Sequence, residues 1–251
     1  PLMDFNTVCV VGLGYIGLPT AAVFAGRRKK VIGVDVNQNA VDTINRGEIH
    51  IVEPELDIAV HAAVKEGYLH ATTEPEPADA FLIAVPTPFK RQADPDAVPE
   101  PDLSFIRAAA RSVAPVLRQG NLVILESTSP VGATEAMAAW LAEARPDLSF
   151  PQDAGEGADI RVAHCPERVL PGRIMHELIE NDRIIGFGIP QEMPLLAVMG
   201  GIDRISGLRQ RSDELAVEVG IIFDNKNSHI VFSHMNVRTV RNCSRSCGGN
   251  M

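Results

Sequence analysis

The chain has 251 residues, of which 45% are apolar, 22% charged and 5% aromatic. That profile fits a soluble globular protein with a sizeable core, and it excludes wholesale disorder, collagen-like repeats and a disulfide miniprotein. Twenty-three basic against 32 acidic residues leave a net charge of −9, without the basic footprint that nucleic-acid binding needs. No stretch approaches the roughly 18 continuous apolar residues of a membrane span. The four cysteines are scattered and the N-terminal stretch lacks a signal-peptide pattern, so a cytoplasmic protein with reduced thiols is expected.

Thr7 to Val11 is a short β-rich run ending at a glycine cluster, and Leu18 to Arg27 continues as an alanine-rich helical segment. Lys30 to Val36 reads as a strand covered on both faces, ending in an acid. The basic run Arg27 to Lys30 falls at the expected end of the first helix, where cations offset the dipole. Ala40 to Arg46 and Leu56 to Glu66 suit helices, Ala80 to Val85 a buried strand, Leu103 to Leu117 a helix, Asn121 to Glu126 a strand and Thr134 to Ala144 a helix. Val162 to His164 and Arg183 to Ile185 read as further short strands. This alternation predicts an α/β fold, a doubly wound, mostly parallel sheet with helices on both faces. Proline-bearing loops at Pro86 to Pro88, Pro95 to Pro101 and Pro130 fall at the carboxyl edge of such a sheet, where open α/β folds bind ligands.

Beyond Gly188 the character changes. Sixteen basic and 26 acidic residues precede that point, net −10, whereas 7 basic and 6 acidic follow it, net +1. Residues 1–188 are therefore read as one domain and residues 189–251 as an atypical tail without a clean period.

Gly12, Gly14 and Gly17 in VVGLGYIG spell G-x-G-x-x-G between a predicted strand and a predicted helix. The first glycine permits a tight turn, the second lets backbone approach a pyrophosphate, and the third lets helix pack on sheet. Asp35, 18 residues after Gly17, is placed to accept hydrogen bonds from a ribose and to repel a 2′-phosphate, favouring NAD over NADP. Val85-Pro86-Thr87-Pro88 reads equally as a rigid turn or as the wall of a cofactor groove. Glu126-Ser127-Thr128-Ser129-Pro130 brings three hydroxyls and a carboxylate together at a strand end, for positioning a water or alcohol or for helix entry. In Cys165-Pro166-Glu167-Arg168, Glu167 is a candidate acid or base and Arg168 a candidate phosphate ligand, while Cys165 reads as a small buried hydrophobe. The histidines and cysteines show no metal-ligand spacing, so no metal is expected.

The order VVGLGYIGLPTA, VIGVDVN, NRGEIHIVEPEL, LIAVPTPF, LESTSPVGAT and CPERVLPG resembles the nucleotide-sugar 6-dehydrogenases, the family that contains UDP-glucose dehydrogenase, from Val8 to about Gly186. Within it, CPERVLPG and NRGEIHIVEPEL resemble the branch acting on UDP-N-acetyl-D-mannosamine. The resemblance implies NAD-dependent oxidation of the C6 hydroxyl of a UDP-linked sugar to a carboxylate. It also implies that Gly12, Gly14, Tyr15, Ile16, Gly17 and Asp35 hold NAD, and that Val85, Pro86 and Thr87 line the cofactor groove. Ser127 and Thr128 would also contact the cofactor, with Thr128 beside the nicotinamide and helping to position a water. Glu167 would serve as acid/base, with Arg168, Val169, Leu170, Pro171 and Gly172 against the sugar nucleotide.

The family also carries a K-x-x-x-N helix and a G-x-G-x-G-G-x-C nucleophile loop, followed by a UDP-binding domain, and its members form homodimers. Here Lys226 is followed four residues later by Ile230, and Cys247 precedes its glycines. The sequence is therefore expected to be a shortened form that binds NAD but lacks the nucleophile. Its tail would be a frameshifted or rearranged stretch in which the dimer helix is not recognisable. A UDP-glucose-type enzyme and a non-catalytic nucleotide-binding module are the alternatives.

Overall fold

The computed structural model describes residues 5–91, 98–167, 169–180, 198–199, 219–223 and 230–234. Its elements, in chain order, begin with β1 (Thr7–Val11), α1 (Gly17–Gly26), β2 (Lys30–Val34), α2 (Gln38–Asn45), α3 (Leu56–Lys65), β3 (Leu69–Thr72) and β4 (Ala80–Ile83). They continue with α4 (Ser104–Val113), β5 (Leu122–Glu126), α5 (Ala133–Ala144), α6 (Pro151–Ala154), β6 (Arg161–Cys165) and α7 (Ile174–Glu180). The six strands pair in parallel in the order β3-β2-β1-β4-β5-β6. This is the doubly wound, Rossmann-type α/β sheet expected from the alternation of strands and helices.

Strand residues bury both faces because each face carries its own helices. Val8 and Val10 join Leu18, Ala21, Val41, Ile44, Leu56 and Val60 in one core. Cys9 and Val11, one residue out of phase, join Ile106, Ala110, Val113, Met137 and Leu141 in the other. The near-continuous apolar runs follow from this double coverage. Helix α1 is buried along most of its length, which explains its small residues: a larger side chain would hold it off the sheet.

The ends of elements differ from the sequence reading for local reasons. The second strand stops at Val34: Asp35 N–H still donates to the Thr72 carbonyl at 3.1 Å, but beyond it Asn37 N–H donates to Asp35 Oδ1 within the loop. The helix expected to reach Leu117 is regular only to Val113 and tightens into a 3₁₀ turn over Ala114–Val116, where Pro115 has no N–H to give. The basic run lies just past α1, with Arg28 in a left-handed conformation at φ 60 whose N–H closes onto the Ala25 carbonyl.

Strand β3 was not foreseen. It is a four-residue edge strand, LHAT, and the Asn45 side-chain amide completes it by accepting from Ala71 N–H at 2.8 Å and donating to the Ala71 carbonyl at 2.9 Å. In the C-terminal stretch, β7 (Val198–Met199), β8 (Val219–Phe223) and β9 (Ile230–His234) form a separate small sheet, parallel between the first two and antiparallel between the last two. Reading the tail as aperiodic did not anticipate these strands. The strand expected at Arg183 to Ile185 lies outside the described residues. Among the described residues no helix is long and apolar enough to cross a membrane.

Candidate functional site

Strand order reverses between β1 and β4, and their carboxyl ends open the crevice where such sheets bind ligands. The register sets these ends level, since Val11 lies beside Val34 of β2 on one side and Ile83 of β4 on the other. Three loops therefore leave the sheet together. The glycine turn at 12–17 leaves β1, Asp35 follows β2, and the Val85–Pro88 loop follows β4.

Each glycine of the turn has a separate steric reason. Gly12 sits at φ +93, and a Cβ there would stand 2.7 Å from the Ala84 carbonyl oxygen. A Cβ on Gly17 would fall 1.7 Å from the Gly12 carbonyl oxygen. A Cβ on Gly14 would meet nothing within 4 Å, so the fold itself does not demand glycine there and the space beside it is open. Helix α1 begins directly behind, with no side-chain cap and no acidic residue in its first turn. Those are the conditions under which a helix N-terminus receives a phosphate.

Asp35 faces this turn. Its Oδ2 accepts from Leu13 N–H and its Oδ1 from Asn37 N–H, both at 2.9 Å. Each oxygen keeps a lone-pair direction for a further donor such as a ribose hydroxyl. Tyr15 is exposed beside the turn, while Ile16 is half-buried against Val169, Ile174 and Leu178.

The second part of the site comes from β5 and β6, whose register pairs Glu126 with Cys165. The segments after them emerge side by side, and Thr128 Oγ1 donates to Glu167 Oε2 at 2.9 Å. Thr87 Oγ1 donates to the Thr128 carbonyl at 2.8 Å, tying the Val85–Pro86–Thr87 loop to the same place. Glu167 Oε1 accepts from Val169 N–H at 2.9 Å. The Ser127 hydroxyl is buried and pairs with that of Ser129.

Two sequence readings of this region change. Glu126 does not converge with the hydroxyls: it is 0% exposed and accepts from Thr20 Oγ1 of α1 at 3.3 Å. The hydroxyls of 127–129 do not cap α5, whose N-terminus at Gly132 has no side-chain cap. Val169 is buried, whereas Leu170 is 63% exposed and Pro171 and Gly172 are exposed too. Arg168 lies outside the described residues. Cys165 and Cys9 are buried and in no disulfide, and burial pushes the Cys9 thiol up to about 12. His164, near the end of β6, is held below its ordinary value by burial, with Glu135 opposing in part. Among the described residues no cluster of acidic, histidine or cysteine side chains could hold a metal ion.

Sequence reasoning missed three contributors. Leu13, fully buried, anchors the turn against Gly33 of β2, where a Cβ would stand 2.9 Å from Leu13 Cδ1. The signal was a glycine inside an otherwise β-branched strand, which marks a close approach. Glu53 lies within NRGEIHIVEPEL, and no local pattern marks it because its partners lie more than a hundred residues away.

Sheet order, glycine turn and facing acid together define a Rossmann-type nucleotide-binding domain. The chain belongs to the UDP-glucose/GDP-mannose dehydrogenase family, and its residues 6–199 match the family's NAD binding domain. It is 69% identical over 189 residues to the UDP-N-acetyl-D-mannosamine dehydrogenase of Yersinia pestis, covering 75% of this chain and 44% of that protein. It is 68% identical over 189 residues to the NDP-N-acetyl-D-galactosaminuronic acid dehydrogenase of Ralstonia nicotianae, covering 75% and 43%. The chain thus spans less than half the length of these curated relatives. Among solved structures, it is similar to a UDP-N-acetyl-mannosamine dehydrogenase from Staphylococcus aureus, with a TM-score of 0.64 and 40% identity over 72% of this chain and 41% of that one. A UDP-D-ManNAc dehydrogenase from Pyrococcus horikoshii gives 0.64 and 42% over 73% and 41%.

Proposed function

We propose that the crevice between the glycine turn and Asp35 holds NAD, and that this domain serves the oxidation of the C6 hydroxyl of UDP-N-acetyl-D-mannosamine to the uronate. The observation that carries the reading is Asp35 accepting from Leu13 N–H, which keeps a carboxylate at the mouth of an otherwise amide-lined turn. The open space at Gly14 and the uncapped N-terminus of α1 fit a pyrophosphate. NAD, when bound, supplies the hydride acceptor.

The chain's own residues then have separable tasks. Gly12, Gly14, Tyr15, Ile16 and Gly17 present the turn, Asp35 accepts from the ribose, and Val85, Pro86 and Thr87 border the groove. Thr128 has its proton committed to Glu167, so its oxygen is left as an acceptor that orients a water or hydroxyl. Glu167 is the group that takes up and returns the proton, with residues Arg168 to Gly172 against the sugar nucleotide. The 251 residues contain neither K-x-x-x-N nor G-x-G-x-G-G-x-C in the family arrangement. Lacking a thiolate nucleophile, they bind NAD without completing the oxidation, since loss of such a nucleophile costs several orders of magnitude.

Calorimetric titration tests the first part: NAD binds at least tenfold more tightly than NADP, and a folded sample that binds no NAD overturns the reading. An absorbance assay for reduced nicotinamide with UDP-N-acetyl-D-mannosamine tests the second on a version of the chain joined to a family-type second half, with no turnover expected from the 251 residues alone; a joined version that turns over only UDP-glucose overturns it. A second sugar is favoured by one observation. Identities of 69% and 68% to relatives named for different N-acetylated sugars do not separate the two, so the UDP-N-acetyl-D-galactosamine series belongs in the same assay, with UDP-glucose as the third substrate.

A further inference from the structure

Glu53, in the loop between α2 and α3, is a buried carboxylate with no part in the NAD crevice. It is 4% exposed. Its Oε2 accepts from Gly172 N–H at 2.8 Å and its Oε1 from Ile174 N–H at 2.7 Å. Taking a carboxylate out of water costs several kcal/mol unless charge-assisted bonds replace the lost hydration. Here the replacement is two backbone donors of a single turn, one on each oxygen, so the side chain and the turn must arrive together.

That turn leads directly to the Thr128–Glu167 pair. It includes Gly172, held at φ +87, and Leu170, whose N–H donates to Glu177 Oε2 at 2.6 Å. Upstream, Val169 N–H donates to Glu167 Oε1, and the Val169 side chain packs with Ile174 and Leu178 against Ile16 and Val23. Glu53 thus grips the loop at one end while Glu167 and its partners stand at the other. Between them the loop rests on Ile16 of the glycine turn.

We propose that Glu53 is a positioning residue: by accepting two loop amides at once, it sets where Glu167 stands against Thr128 and where residues 169–172 face a sugar nucleotide. It touches neither. The functional meaning rests on the reading of Glu167 given above; the anchoring itself does not. It also gives a physical reason for the segments NRGEIHIVEPEL and CPERVLPG to belong together, since one supplies the acceptor and the other the loop it holds.

The test is amide hydrogen exchange by NMR on the 251-residue chain, with Glu53→Gln and Glu53→Ala variants. Gln fills the same volume but offers one acceptor and turns an NH₂ toward the second donor, so a packing role would be rescued and a two-acceptor role would not. The expected result is exchange at least tenfold faster at Gly172 and Ile174 in both variants, a shifted Val169 amide resonance, and unchanged exchange at Leu18 of α1. Wild-type rates at Gly172 and Ile174 in Glu53→Gln would overturn the proposal, as would a general loosening that includes Leu18. If neither variant folds, the wild-type chain still decides: exchange at Gly172 and Ile174 as fast as at open loop amides overturns it. A wild-type chain that binds no NAD would count against the proposed cofactor site, while the exchange rates would still judge Glu53.

Discussion

Three glycines in six residues carry three different constraints, and single substitutions separate them. At Gly17 an added Cβ collides with backbone oxygen at 1.7 Å, which no side-chain rotation relieves. Gly17→Ala is therefore expected to cost about 3 kcal/mol, or a fall of roughly 10 °C in melting temperature for a chain of this size. At Gly14 the same methyl meets nothing within 4 Å, so Gly14→Ala should leave stability within about 0.5 kcal/mol. Its effect belongs to the ligand: NAD affinity should drop at least tenfold. Thermal melting paired with NAD titration checks both halves, and a Gly14→Ala chain that binds NAD normally would remove the pyrophosphate from that place.

Elements place these residues through contacts that neither partner announces. Strand β2 carries Gly33 where its neighbours in sequence are valine and isoleucine, because Leu13 of the glycine turn lies against that point of the sheet. Gly33→Ala puts a methyl 2.9 Å from Leu13 Cδ1. Since Leu13 is fully buried, its side chain can give way only by repacking against its neighbours, which disturbs the turn that carries it. A cost of about 1–2 kcal/mol is expected, with NAD affinity reduced severalfold. Leu13→Val withdraws the clashing methyl groups, so the double variant should recover part of both losses; additive losses in a double-mutant cycle would show that the two side chains do not share the site. The same logic explains why β3 escaped the reading of its sequence. Four residues with one exposed histidine give no pattern, and the strand is completed by the Asn45 amide.

For the whole molecule, pH is the variable that reaches burial and charge together. Burial holds His164 below its ordinary value of 6.5, so the unfolded chain takes up a proton there before the folded chain does. Stability then rises with pH through the window between the lowered value and 6.5, and falls as the solution is acidified through it. Asp102 and Asp159 are held low by hydrogen bonds from Ser104 and Ser149, and Asp147 by the bond from Arg145. Their contribution is complete above the ordinary carboxylate value of 3.8 and is lost as pH falls through the lowered values. Melting temperatures measured from pH 7.5 to 5.5 should decline in the wild-type chain and stay flatter in His164→Asn; parallel slopes would exclude His164 as the cause.

The amino-acid order alone determined the alternation of strands and helices, the glycine turn and the acid downstream of it. Each of these is a local pattern: apolar period, turn chemistry, or a spacing within one βαβ unit. Only the tertiary structure decided that Glu126 turns inward to Thr20 and that Thr128 meets Glu167. It likewise decided that Leu13 needs Gly33 and that Glu53 holds a turn 119 and 121 residues further on. Those pairings depend on which strand lies beside which and on their register. A one-dimensional period says which face of a strand is buried, but not which side chain from a distant segment will share it.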